Sequence, residues 1–392
     1  MTDFSFDALR RFPDIEAVNL VAVDASDRLI LDEAAGALAE APAGTVSVIG
    51  DRYGALTLGA AALHGARQIR VHQDALTGEQ ALVANAGRVG IDPEGTFTSW
   101  GLETALVTGA RVVLLQLPRS LDALEEIAEL IGAHADPDAQ VFAGGRVKHM
   151  TRSMNDTLGR HLTTVEARLG RQKSRVLVAS GAVRPSAAPD GGFTAADGGS
   201  TASRWPARER HDDLDLTVCA HGGAFAGTHV DLGTRLLLDR LDTMAPAATT
   251  AVDLGCGTGV VAALLARRRP GITVLATDDS AAAVASARAT AQANGVADRI
   301  TVTRADALAG TPDASVDLVV LNPPFHTGAT VHSGIAHRLF ADAGRVLRPG
   351  GELWAVWNSH LMYRPSLERL VGPTRQVART PRFTVTVSTR GR

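Results

Sequence analysis

The chain has 392 residues, 45% of them hydrophobic, and a net charge of −3. That length predicts two domains, and the near-neutral balance excludes a protein that coats nucleic acid through bulk charge while allowing a local basic face. Two cysteines, Cys219 and Cys256, make neither a disulfide framework nor a metal cluster; with no membrane-length apolar run and no leader pattern among Asp3, Asp7, Asp14 and Glu16, a cytoplasmic protein is expected.

The first 45 residues are acidic, with a helix-compatible stripe at Leu29, Ile30, Leu31, Ala34, Ala35 and Leu38. A strand follows at 46–49, with the turn Gly50-Asp51-Arg52-Tyr53-Gly54. Next come a helix (55–64), a strand (69–72), a helix (77–89) and a strong strand (111–117) ending in Pro118. Ser120 is placed to cap a helix running to about 133. Further strands are predicted at 140–143 and 175–179. The βαβ alternation predicts a doubly wound α/β domain over 1–183. Residues 184–200 are small, polar and rich in Pro and Gly, so they read as a flexible linker, with an ordered surface loop as the alternative.

The second domain, 201–392, starts the pattern again. A strand (249–254) leads into Gly255-Cys256-Gly257-Thr258-Gly259 and a helix (260–268). The strand 273–277 ends at Asp278-Asp279, and Ser280 caps a helix stopped by Gly295. The strand 300–303 leads to Asp306, and the apolar strand 316–321 runs into Asn322-Pro323-Pro324-Phe325-His326. A helix from about 334 to 347, a turn at Pro349-Gly350-Gly351, a strand (352–357) and a closing hairpin (377–388) complete the chain. The halves repeat: Gly54 and Gly259 lie 205 apart, Asp74 and Asp278 204, Gly90 and Gly295 205, Pro118 and Pro324 206. Such spacing predicts a duplicated domain. Its first copy has lost the chemistry, with Arg52 and Tyr53 in place of Gly257 and Thr258.

Asp253-Leu-Gly-Cys-Gly-Thr-Gly259 follows a strand and opens a helix, the context in which glycines let a backbone approach a nucleotide closely. The spacing is not that of a pyrophosphate-binding loop. Asp278 suits two ribose hydroxyls, and Asp306 an adenine amino group. Asn322 and the Pro323 carbonyl put two acceptors on a turn made rigid by Pro323 and Pro324, and Phe325 offers an apolar face for a base. Arg168, Arg171 and Lys173 stand in a basic run, 146–184, suited to phosphate contacts; a second basic run ends the chain. His326 is either a base contact or a helix-start residue.

On these motifs the second half resembles class I S-adenosylmethionine-dependent methyltransferases, and Asn-Pro-Pro-Phe resembles the signature of those that methylate planar amino nitrogens. Gly227-Thr-His-Val-Asp-Leu-Gly233, Asn322 to His326 and Trp357-Asn-Ser-His-Leu-Met-Tyr363 are similar to the ribosomal RNA guanine-N2 methyltransferases. Arg11-Phe12-Pro13, 115–121 and 358–363 are nearest to their large-subunit (23S) branch, which is related to the small-subunit (16S) one. The Pro/Gly linker and the Trp354-to-Trp357 strand depart from that pattern. The resemblance implies two tandem Rossmann-like domains with a degenerate first copy that positions RNA. It implies S-adenosylmethionine bound by Asp253, Gly255, Gly257, Gly259, Asp278, Asp306 and Asn322. Catalysis falls to Asn322, Pro323, Pro324 and Phe325, and RNA contacts to Arg168, Arg171, Lys173 and His326. It implies a monomer acting on ribosomal RNA or a ribosomal subunit, with neither metal nor membrane. Two other readings remain at this point: methylation of adenine N6 or of a protein glutamine, and a non-catalytic RNA-binding assembly factor.

Overall fold

The computed structural model describes residues 4–17, 20–183, 203–323 and 329–391. Residues 1–205 and 206–392 form two compact units. The predicted linker, 184–200, lies outside the described residues.

In the first unit, α1 (Ala25–Glu40) opens on a capping box: the Asp24 carboxylate accepts from the Ser26 amide and that of Asp27 from the Asp24 amide. There follow β1 (Val46–Ile49), α2 (Ala55–His64), β2 (Ile69–His72), α3 (Leu76–Arg88), β3 (Phe97–Ser99), α4 (Thr104–Val107) and β4 (Val112–Gln116). Then come α5 (Leu121–His134), β5 (Gln140–Arg146), α6 (Arg152–Gly159), β6 (Leu162–Ala167) and β7 (Ser174–Ala182). Ser120 caps α5 as expected, its hydroxyl accepting from the Ala123 amide. The strands form one sheet in the order β3-β2-β1-β4-β5-β7-β6. All pairings are parallel except those of β7, which runs against β5 and β6. Val48, Leu114 and Phe142 face one buried cluster, and Ile49, Val113 and Val141 the other. Burial on both faces is why these strands are near-continuous apolar runs.

The second unit begins with a separate hairpin, β8 (Ala207–His211) and β9 (Leu216–Ala220), then α7 (Leu232–Leu238). The βαβ series is β10 (Thr250–Leu254), α8 (Val260–Arg268), β11 (Thr273–Asp278), α9 (Ala281–Ala293), β12 (Ile300–Arg304), β13 (Val316–Leu321), α10 (Ala329–Val346) and β14 (Leu347–Asn358). It closes with α11 (Arg364–Leu370), β15 (Thr374–Arg379) and β16 (Phe383–Thr389). The sheet order is β12-β11-β10-β13-β14-β16-β15, and β16 is antiparallel to both neighbours. Strand for strand this is the first sheet again, so the duplication read from spacing is a duplication of fold. Trp354 and Trp357 are buried on opposite faces of β14, which accounts for two tryptophans in one strand.

Strand register refines the alignment of the copies. Ile49 pairs with His72 and Leu254 with Thr277, so the counterpart of Asp278 is Gln73, not Asp74. Ile49 pairs with Leu115 and Leu254 with Leu321, which makes Gln116 the counterpart of Asn322. Among the described residues no helix is long and apolar enough to cross a membrane, and no three His, Cys, Asp or Glu side chains are grouped to hold a metal ion.

Candidate active site

The carboxyl ends of β10 to β13 carry every described residue of the expected cofactor and catalytic sets. After β10 the chain turns through Gly255, Gly257 and Gly259, with φ of 68°, 53° and 75°. A side chain at any of the three would be strained. The first two border open space, with nothing within 4 Å of an added Cβ. At Gly259 a Cβ would meet that of Ala287 at 2.8 Å, so this glycine lets α8 pack on α9. The Asp278 carboxylate ties the loop from the end of β11, accepting from the Gly257 amide at 2.9 Å and the Ser280 amide at 3.0 Å. An open glycine cradle beside a half-exposed carboxylate fits a nucleoside with ribose hydroxyls.

Asp253 stands differently from the expectation. It is 4% exposed, and its Oδ2 accepts from the Ala262 amide at 3.0 Å, in the first turn of α8. Burial, with Asp278 nearby, pushes its carboxyl up to about 7. Its visible role is to hold the loop-to-helix turn. Asp306 follows β12 and is engaged by Arg338 of α10, with contacts of 2.7 and 3.0 Å.

Asn322 directly follows β13 and is held from its nitrogen side. Its Nδ2 donates to Asp231 Oδ2 at 3.2 Å and to Thr234 Oγ1 at 3.0 Å. Asp231 also caps α7, accepting from the Gly233 amide at 2.8 Å and from the Thr234 hydroxyl at 2.5 Å. A carboxylate only accepts, so the amide nitrogen must face it. Asn322 Oδ1 is left buried without a partner. Among the described residues of this unit, the neutral side-chain oxygens in that condition are those of Thr277, Asn322 and Asn358, at the ends of β11, β13 and β14. Buried polar atoms are ordinarily paired, so orphans gathered at one sheet edge mark a ligand site. In the sequence Asp231 stands only within the Gly227–Gly233 motif; an Asp three residues before a Thr at a helix start is the local signal of its role. Pro323 is buried, and Pro324, Phe325 and His326 lie outside the described residues.

The first unit shows the same frame with its chemistry replaced. Gln116 donates to Asp27 and to the Ser26 hydroxyl, as Asn322 does to α7, but its Oε1 also has the Ser26 hydroxyl at 3.4 Å. Gln73 donates to the Arg52 carbonyl at 2.6 Å, where Asp278 accepts from Gly257. Arg52 holds a φ of 59° without being glycine. Tyr53 donates to Asp14 at 2.6 Å beneath the Arg11 guanidinium.

Arg168, Arg171 and Lys173 come together between β6 and β7. Arg168 pairs with Glu166 and Arg171 with Asp32, each at 3.2 Å. The loops after β1, β4 and β5 also carry Arg52, Arg119 and Lys148, all exposed. With Arg146 they surround His149, whose imidazole is held below its ordinary range by slight burial and these cations.

Two family profiles match the chain: the RLMG N-terminal domain over residues 1–183 and the Methyltransferase small domain over 215–387. A protein of Streptomyces avermitilis named ribosomal RNA large subunit methyltransferase G is 37% identical, over 96% of this chain and 95% of its own. One of Pseudomonas aeruginosa with the same name is 36% identical, over 98% and 97%. In fold the chain is similar to the T. thermophilus 16S rRNA N2 G1207 methyltransferase RsmC, solved with AdoMet and guanosine. The TM-score is 0.69 at 20% identity, over 92% of each chain.

Proposed function

The chain belongs to the ribosomal RNA large subunit methyltransferase G family, and on that premise we propose that it methylates the exocyclic N2 of a guanine in 23S ribosomal RNA. The observation that carries this reading is the orphaned, buried Oδ1 of Asn322 at the end of β13, its amide oriented by Asp231. S-adenosylmethionine, the cofactor that fits the open glycine cradle and Asp278, supplies the methyl group. Gly255 and Gly257 would admit it closely, Gly259 and Asp253 hold the loop in shape, and Asp306, now engaged by Arg338, would hold its base.

Asn322 Oδ1 and the Pro323 carbonyl accept the two hydrogens of the guanine amino group. An amino nitrogen conjugated with its ring is a poor nucleophile. Two in-plane acceptors localise its lone pair and aim it out of the plane, so much of the acceleration is orientation. Phe325 stacks on the extruded base, held apart from its helix neighbours, and His326 is a candidate base contact.

RNA is held by phosphate contacts from the first unit. Arg168, Arg171 and Lys173 contribute on the β6–β7 hairpin. Arg52, Arg119 and Lys148 contribute at the sheet edge, where no acid partner is seen among the described residues. The reading carries with it a monomer acting in the cytoplasm. Nucleoside mass spectrometry of 23S RNA from a deletion strain tests it: one N2-methylguanosine is lost and returns on complementation. An unchanged nucleoside profile would refute the proposed reaction.

A further inference from the structure

Asn358 ends β14, the strand beside β13, and its Oδ1 is buried without a partner, like that of Asn322. Strand alternation puts both on one face. Val320, Trp354 and Val356 pack in the cluster that holds Leu237 of α7, while Leu321, Ala355 and Trp357 pack on the other side. Asn322 and Asn358 follow the first parity. The contact of Asn322 with Asp231 and Thr234 confirms the face for the first of them. Leu321 lies opposite Ala355, so Asn358 stands one strand over and two residues beyond the lateral neighbour of Asn322, roughly 7 Å farther along. The cross-strand partner of Asn358 is Phe383. A Cβ at Gly233, beside Asp231, would meet the Phe383 ring at 3.3 Å, which places the first turn of α7 alongside both asparagines.

Two unpaired amide oxygens on one face of neighbouring strands suit a base edge with donors on adjacent atoms. Guanine has this edge: the N2 amino group sits beside the N1–H. In adenine and cytosine the ring nitrogen beside the amino group is an acceptor. We propose that Asn358 is a specificity-determining residue whose Oδ1 accepts the guanine N1–H while Asn322 holds the amino group. This rests on the guanine-N2 reading of the site and adds what selects the base. The two amides differ in one respect. Asp231 fixes the polarity of Asn322, whereas no described residue bonds the Asn358 side chain, so the base completes it. A base without the N1–H leaves a buried acceptor unpaired, and sites built on such hydrogen bonds reject the analogue lacking them.

The test uses the full chain, saturating S-adenosylmethionine and an RNA carrying either guanine or 2-aminopurine at the position found by mass spectrometry. 2-Aminopurine keeps the amino group but has an acceptor at N1. Single-turnover methylation is measured for wild type, Asn358→Asp and Asn358→Leu. The aspartate variant, which can only accept, keeps guanine activity within a few-fold and rejects 2-aminopurine more strongly than wild type does. The leucine variant loses about tenfold to hundredfold on guanine and less on 2-aminopurine, so the preference collapses. Cofactor affinity stays at the wild-type value in both. If wild type methylates guanine but both variants keep its preference between the bases, Asn358 does not read the edge and the assignment fails alone. If wild type leaves guanine unmodified, the proposed reaction fails and takes the assignment with it.

Discussion

Asp231 and Asn322, 91 residues apart in sequence, meet at 3.2 Å, and this contact decides which end of the Asn322 amide is left unpaired. Replacing the carboxylate by an amide separates that role from capping, because Asn caps a helix about as well as Asp. Asp231→Asn is expected to leave thermal stability and cofactor affinity nearly unchanged. The methylation rate should fall about tenfold to hundredfold, as loss of a hydrogen bond to a charged group costs roughly 1.5–3 kcal/mol. Stopped single-turnover assays beside calorimetry of cofactor binding check it. A rate loss matched by unfolding would assign Asp231 to the helix alone.

Asn322→Ala removes the acceptor and should cost on the order of 3–4 kcal/mol in the transition state, roughly a hundred- to thousand-fold in rate. Asn322→Asp places a second carboxylate against Asp231. Two such groups resist joint ionisation and share a proton. The aspartate variant should therefore be nearly inactive at neutral pH and gain activity as pH falls, opposite to a simple loss of acceptor. A pH–rate profile of the variant that stays flat or rises with pH counts against the shared contact.

One cofactor is expected per chain. Calorimetry on the full protein should give a stoichiometry of one for S-adenosylmethionine, strongly weakened by Asp278→Ala and indifferent to Gln73→Ala. A second site, or loss of binding on changing Gln73, would contradict the degenerate reading of the first copy.

The buried Asp253 makes stability depend on pH. Its carboxyl is raised from 3.8 to about 7 in the folded chain. Between about pH 4 and 7 the folded state holds a proton that the unfolded state releases, so stability falls as pH rises through this window. Asp253→Asn keeps an acceptor for the Ala262 amide and removes that slope. Relative to wild type the variant should gain stability from pH 4 to 7, on the order of 1 kcal/mol per unit, then level off. Denaturation series at fixed pH steps measure this; a pH-independent difference would be the wrong outcome.

For RNA, exposed cations with no acid partner among the described residues should carry more of the salt dependence than paired ones. Changing Arg52 to Gly, Arg119 to Ala and Lys148 to Ala together should lower the slope of log affinity against log salt by about 2. Arg52→Gly also relieves a left-handed backbone. Neutralising Arg168 and Arg171, already balanced by Glu166 and Asp32, should change it less. Equal slopes in all three proteins would leave both surfaces merely solvated.

The βαβ frame was legible because parallel strands buried on both faces are apolar runs such as 112–116 and 316–321, bounded by Gly, Pro and capping Ser. Short pieces escaped: β3, α4 and the β8–β9 hairpin are too brief for a period to show. The glycine loop, Asp278 and Asn322 could be read because turn chemistry and strand ends are local. Asp231 meets Asn322 from 91 residues away, Asn358 is set beside that strand only by the sheet order, and the burial of Asp253 depends on α8 closing over it. The Arg338 partner of Asp306 lies 32 residues away, which no local pattern reports.

The matched registers of the two sheets also bear on history. Regaining a cofactor site in the first copy would require glycine at Arg52, a small residue at Tyr53 and a carboxylate at Gln73, each held by a different neighbour. A carboxylate at Gln73 alone would face the Arg52 carbonyl, an acceptor against an acceptor. A small residue at Tyr53 alone would cost Asp14 its Tyr53 donor and Arg11 the ring it stacks on. Two of the three single changes therefore lose a bond that the first copy now makes. The first copy is held in its present form at Gln73 and Tyr53 by bonds that a cofactor site there would have to give up.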